Sequence, residues 1–158
     1  MENHERFLSH LDKSSEAVFA AAAFLHRKGL DVRINATRRA SSHSEWKKYR
    51  DDGDIYAYDK KGNSYRVEAK GLSCDFTSVR DWKFKDFMVC AKHSFDSASP
   101  KPYAYIILNK NKTHAAIVRS STSSCWETVS RKDSRYESVV QEFYTCPMGS
   151  IDWVSLKK

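Results

Sequence analysis

Apolar residues recur along the chain with two periods, and they divide it into helical and extended segments. Phe7, Leu8 and Leu11 fall on one side of a short helical arm within residues 1–12. A stronger helix is predicted from Ser15 to Lys28, because the Ala20 to Ala23 run has the highest helix propensity available. Ser14 can cap its start, Arg27 and Lys28 suit the negative end of its dipole, and Gly29 suits its stop. Val32-Arg33-Ile34 then alternates as a first strand. Residues 35–52 are polar and read as an exposed loop, or a loop with a short helical turn. Ile55 to Tyr58 is a strand, Asp59 to Asn63 has hairpin-turn chemistry, and Tyr65 to Lys70 is the returning strand. Thr77 to His93 reads as a second helix with Val79, Trp82, Phe87 and Cys90 near one face. Tyr103 to Leu108 is a strongly apolar strand, and Ala115 to Val118 pairs back onto it. Trp126 to Val129 and Val139 to Tyr144 supply two further candidate strands. This order predicts an α/β domain with a mixed central sheet flanked by helices, its core over 14–119 and a strand-rich extension over 120–158.

Composition narrows the class. The chain has 158 residues, 41% of them hydrophobic, with 8 Phe, 8 Tyr and 4 Trp, which suits one folded domain and argues against disorder. A net charge of +7 favours a polyanionic partner, nucleic acid ahead of an anionic membrane surface. Cys74, Cys90, Cys125 and Cys146 have no metal-ligand spacing and read as reduced, mostly buried thiols. No run reaches the roughly 18 apolar residues of a membrane span. Glu2, His4, Glu5 and Arg6 do not make a secretory leader, so the expectation is an intracellular, cytoplasmic protein without a membrane partner.

The segment that bears chemistry is Asp54-Ile55 followed by Val67-Glu68-Ala69-Lys70. Strand alternation points Glu68 and Lys70 to one face, and Val67 and Ala69 to the other. The hairpin brings Asp54 near Glu68. Two adjacent carboxylates repel unless a cation sits between them, and a hard divalent ion with several waters suits such a pair. Lys70 would then activate an attacking water or stabilise charge developing on a phosphate. Asp52 competes with Asp54 for the metal; Asp54 is preferred because it directly precedes the apolar Ile55. Glu16 heads a stripe of Phe19, Ala20 and Ala23, so it either points into a cleft or merely favours the positive helix end.

Glu16 on the first helix, Asp54 opening a strand and Glu68-Ala69-Lys70 on the next resemble the PD-(D/E)xK nuclease superfamily. Ser14-Ser15-Glu16, Lys28-Gly29 with Val32, Asp54-Ile55 and Val67-Glu68-Ala69-Lys70 look like the small Holliday-junction resolvases within it. The resemblance covers residues 14–95. Gly53 stands where the superfamily often has proline, and the polar segment 35–52 is longer than its pattern expects. The resemblance implies a restriction-endonuclease-like core, ordered α-β-β-β-α-β. It also implies a Mg2+ site, with Mn2+ as substitute. Asp54 and Glu68 would bind the metal, Glu16 would complete the site, and Lys70 would assist the nucleophile.

The expected function is a Mg2+-dependent DNA endonuclease, with structure-specific substrates such as branched DNA in view. The alternative is an inactive nucleic-acid-binding or assembly protein on the same fold. Arg38, Arg39, Lys47, Lys48 and Arg50, with Trp46 among them, form either a DNA-gripping flap or a solvated loop. Arg80, Lys83 and Lys85 either extend that track or are a solvated helix face. His43 reads as a loop residue, and Cys74, which lacks a His/Asp partner, as structural. Cutting two strands at once calls for two sites and hence a homodimer, a point on which the sequence is silent.

Overall fold

The computed structural model describes residues 3–35, 54–132 and 140–157, with side chains from Ser15 onward. The helical arm and the alanine-rich helix are one element, α1 (Asn3–Arg27), so Ser14 lies inside it rather than capping it. The helix stops in a Schellman turn. Leu30 N–H donates to Leu25 O and Gly29 N–H to His26 O, with Gly29 at φ 93°, a conformation that favours glycine. Its buried stripe is Ala17, Val18, Ala21, Ala22 and Phe24.

That stripe packs on a six-stranded mixed sheet. Strands β1 (Asp31–Ile34), β2 (Ile55–Tyr58) and β3 (Ser64–Gly71) form an antiparallel meander. β5 (Ala104–Leu108) lies parallel to β3, and β6 (His114–Arg119) and β9 (Asp152–Ser155) follow antiparallel, in the order β1-β2-β3-β5-β6-β9. β5 is buried along its whole length, as its uninterrupted apolar run requires at the middle of a sheet covered on both faces. Small side chains let α1 come close: a Cβ added at Gly71 would lie 3.4 Å from the Ala17 Cβ.

The second face is covered differently from the expectation. Residues 77–93 do not form a long helix. They hold a 3-10 turn (Val79–Asp81), an extended stretch and β4 (Met88–Ala91), which leads into the short α2 (Lys92–Ser97). β4 joins β8 (Val140–Thr145) and β7 (Glu127–Lys132) in a second, antiparallel sheet ordered β4-β8-β7. The main sheet therefore carries a helix on one face and this small sheet, rather than a second long helix, on the other. Two cores result. One joins α1 to Ile55, Val67, Ala69, Ile106 and Leu108. The other joins Tyr105, Ile107 and Val118 to Phe76, Phe87, Val89 and Cys90. The segment over 120–158 is no appendage, since β9 completes the edge of the main sheet. No helix among the described residues is long and apolar enough to cross a membrane.

Candidate active site

The β2–β3 hairpin sets the geometry, and Asp59 builds its turn. Its Oδ1 accepts from Lys61 N at 2.9 Å and Asn63 N at 3.0 Å, and its Oδ2 from Asn63 Nδ2 and Tyr65 Oη, both at 3.0 Å. These bonds, the Asn63 side chain's first, hold the Asp59 carboxyl below its usual range. The turn fixes the pairing Tyr58↔Ser64 through Ile55↔Val67. One residue further on, Asp54 stands across from Glu68, and its Oδ2 accepts from Ala69 N at 2.8 Å. Odd residues Val67 and Ala69 face α1, so Arg66, Glu68 and Lys70 share the opposite face.

Glu68 is not a solitary carboxylate on that face. Its Oε1 accepts from Arg66 Nε at 3.0 Å and Nη2 at 2.8 Å, while Arg66 Nη1 donates to Pro100 O at 2.9 Å. The two side chains are 10% and 21% exposed, so this ion pair is well shielded from water. Glu68 pairs in register with Tyr105 on β5. Tyr105 and Cys90 share the second core, and burial is the main reason both titrate high. The Cys90 thiol is pushed up to about 11, while the nearby Lys70 charge pulls it the other way. Cys90 is thus a protonated, structural thiol rather than a nucleophile at neutral pH.

The hairpin sets Asp54 against Ala69 N, beside Glu68, while Glu68 and Lys70 lie two apart on β3. Glu16 is engaged elsewhere. It sits on α1, on the other side of the sheet, with its side chain 75% exposed and an oxygen 3.5 Å from Lys112 in the β5–β6 turn. Arg38, Arg39, Lys47, Lys48 and Arg50, like Asp52, His43 and Trp46, lie outside the described residues. Arg80, Lys83 and Lys85 are exposed on a turn and loop, not on a helix. Of the four free cysteines, Cys125 is exposed, Cys74 is half-buried, and Cys90 and Cys146 are buried, in keeping with mostly buried thiols. Arg66, Tyr105 and Cys90 were not anticipated at the site. Arg66 was within reach of strand alternation, two residues before Glu68; the other two come from strands paired only in three dimensions.

No family model, no curated protein and no solved structure matches this chain. The chemistry rests on the side chains themselves. Asp54 and Glu68 offer hard oxygen donors from neighbouring strands, and Glu68 Oε2 accepts no hydrogen bond among the described residues. Two carboxylates plus retained waters suit Mg2+, which dehydrates reluctantly. No group of three His, Cys, Asp or Glu able to hold a metal occurs among the described residues. A cleft of about 480 Å3 opens at the hairpin end of the row, lined by Tyr56, Tyr65, Arg66, Tyr103 and Ser120 among others.

Proposed function

We propose that the chain is a Mg2+-dependent DNA endonuclease, with Mn2+ as a substitute metal, that works through Asp54, Glu68 and Lys70. The observation that carries this reading is the β2–β3 register, which sets Asp54 across from Glu68 with Lys70 on the same face. The order of α1, the β1–β3 meander and a strand parallel to β3 also agrees with a restriction-endonuclease-like core. Its second helix would here be replaced by the connection carrying β4 and α2.

Asp54 and Glu68 would hold the metal. When bound, Mg2+ supplies a more acidic water and a polarised phosphoryl oxygen. The chain's own groups do the rest. The Ala69 N–H fixes the Asp54 carboxylate, and the Arg66 guanidinium fixes that of Glu68. Lys70 Nζ, on the same row, supplies positive charge where the phosphate becomes more negative, or donates a hydrogen bond to the attacking water and lowers its pKa. The net charge of +7 draws the polyanion in. Glu16 is the weakest member of this assignment, because Lys112 already engages it.

A second reading, an inactive nucleic-acid-binding or assembly protein, draws on the Arg66–Glu68 pair, since a guanidinium and a metal compete for one carboxylate. Plasmid and branched DNA incubated with Mg2+, Mn2+, Ca2+ or EDTA separate the two. The endonuclease cuts with Mg2+ and Mn2+ and fails with Ca2+, whose looser coordination serves binding better than catalysis. Lys70→Met stops cutting while DNA binding persists. Full activity in EDTA defeats the two-carboxylate metal site, and binding without cutting under every metal favours the second reading.

A further inference from the structure

The connection between β3 and β4 contains a second feature that the proposed chemistry does not use. Its 3-10 turn is pinned at both ends. Ser78 Oγ accepts from Arg80 N at 3.2 Å, and the Asp81 carboxylate accepts from Thr77 N, Thr77 Oγ1 and Ser78 N at 2.7 to 3.0 Å. These bonds, the one from the Ser78 backbone foremost, hold the Asp81 carboxyl down at about 2, so the cap is intact from neutral pH down to well below 4. Trp82 follows as a wedge, with ring centroids 5.3 Å from Phe76, 4.7 Å from Phe87 and 6.1 Å from Trp153. Its indole N–H donates to Asp86 O at 3.3 Å.

A loop held this firmly nevertheless leaves Phe84 52% exposed and Val79 48% exposed. The exposed ring sits among cations. Arg80, Lys83 and Lys85 are all exposed and make no ion pair among the described residues, and Lys83 Nζ lies 5.6 Å from the Phe84 centroid. The acids of the segment are occupied, Asp81 by the turn and Asp86 by Arg131 at 3.3 Å. Trp82 buttresses the Phe84 ring in an edge contact, centroids 5.3 Å apart, and so holds the half-exposed ring in place beside three exposed cations. Flat apolar faces joined by phosphates, which unpaired bases offer, match both features.

We propose that Phe84, flanked by Arg80, Lys83 and Lys85, is a stacking platform for unpaired bases of DNA. The choice of DNA as polymer rests on the nuclease reading; the platform itself does not require cleavage. It gives the protein a preference for single-stranded or branched DNA over plain duplex, whose bases are already stacked on one another.

The test is binding of the full chain, in EDTA, to a fluorescein-labelled single-stranded oligonucleotide and to the duplex of the same sequence. Phe84→Ala weakens single-strand binding by about tenfold, within the range for loss of one base–aromatic stack. It leaves duplex binding within about twofold, and Phe84→Tyr restores the loss. Lys83→Gln with Lys85→Gln lowers the single-strand salt slope by about 1.4, at roughly 0.7 per phosphate contact. Equal loss on both DNAs, no loss on either, or an oligonucleotide the wild type does not bind overturns the platform. So does binding to phosphatidylserine vesicles that is lost with Phe84 while oligonucleotide binding is not. Failure of the nuclease reading is visible separately: a protein that never cuts but shows the single-strand-specific loss retains the platform.

Discussion

Replacing Glu68 by Gln separates chemistry from architecture, because Gln can keep the Arg66 contact while giving up the charge. In the native protein one oxygen, Oε1, accepts both Arg66 Nε and Nη2. Hydrogen bonds to a charged group contribute roughly 1.5–3 kcal/mol and neutral ones roughly 0.5–1.5 kcal/mol. Both bonds end on one oxygen that Gln retains, so the loss is about 1 kcal/mol, equivalent to about 2–4 °C in Tm for a chain of this size. Glu68→Ala is the contrast. It strands a guanidinium that is only 10% exposed, and breaking such a pair costs roughly 3 kcal/mol. Cleavage follows a different order. Loss of a hydrogen-bonding partner behind a metal ligand already costs roughly 10–100-fold, so loss of a ligand charge costs more than about a hundredfold in both variants. Arg66→Gln removes the group that fixes the Glu68 carboxylate, so half-maximal cutting needs roughly 10–100-fold more Mg2+. The assay is nuclease rate against Mg2+ concentration beside thermal melting. A folded Glu68→Gln protein that cuts at the wild-type rate refutes the site, and a rate that merely tracks Tm through all three variants reduces the pair to architecture.

Three further outcomes follow from the same structure. Glu16→Gln loses only an exposed 3.5 Å pair with Lys112, so stability stays within about 0.5 kcal/mol and cutting within about twofold; a large drop in rate would place Glu16 at the metal after all. Burial raises the Cys90 pKa from 9.0 to about 11, so the folded state favours the thiol. That stabilisation is complete below pH 9 and is lost as pH rises toward 11; urea midpoints should fall over this window more steeply in the wild type than in Cys90→Ala, and parallel slopes would contradict the assignment. Neutralising Lys47, Lys48 and Arg50 together should weaken DNA binding and flatten its salt dependence, whereas an unchanged slope would make those residues ordinary solvated surface.

What the sequence made legible was local. The hairpin at 55–70 shows because alternation and turn chemistry lie within one short stretch, and Asp54 meets Glu68 through that stretch alone. The reading failed where partners are distant. Val79, Trp82, Phe87 and Cys90 mimic a helical stripe, yet Trp82 and Phe87 join an aromatic cluster with Trp153, and Met88 to Ala91 pair with β8 far along the chain. β9, only four residues long, is visible only beside β6. Glu16 is ambiguous in the sequence for another reason. An alanine run is apolar on every side, so it does not say which side is buried. The stripe of Phe19 and Ala23 that Glu16 heads faces outward, with Phe19 62% exposed, and Ala17, Val18, Ala21 and Ala22 form the true contact.

β3 divides its labour by parity, and this gives the strongest physical reason to regard its even row as functional. Val67 and Ala69 suffice to hold α1. A slip of one residue would turn Glu68 and Lys70 into that core, at a prohibitive cost, so the register is enforced by packing as well as by the Asp59 turn. Packing makes no such demand on the even row. Tyr105 lies beside Glu68 in a region dry enough to push its hydroxyl well above the usual range, with Cys90 against it. Val or Ile at positions 66 and 68 would satisfy that surroundings without the desolvation of an ion pair, often with a gain in stability. A solvated surface would spread its charges outward instead. Arg66, Glu68 and Lys70, aligned on one half-buried face with Asp54 across from them, carry an electrostatic cost that the fold does not require, and a bound cation with a phosphate beside it would relieve the repulsion between the two carboxylates.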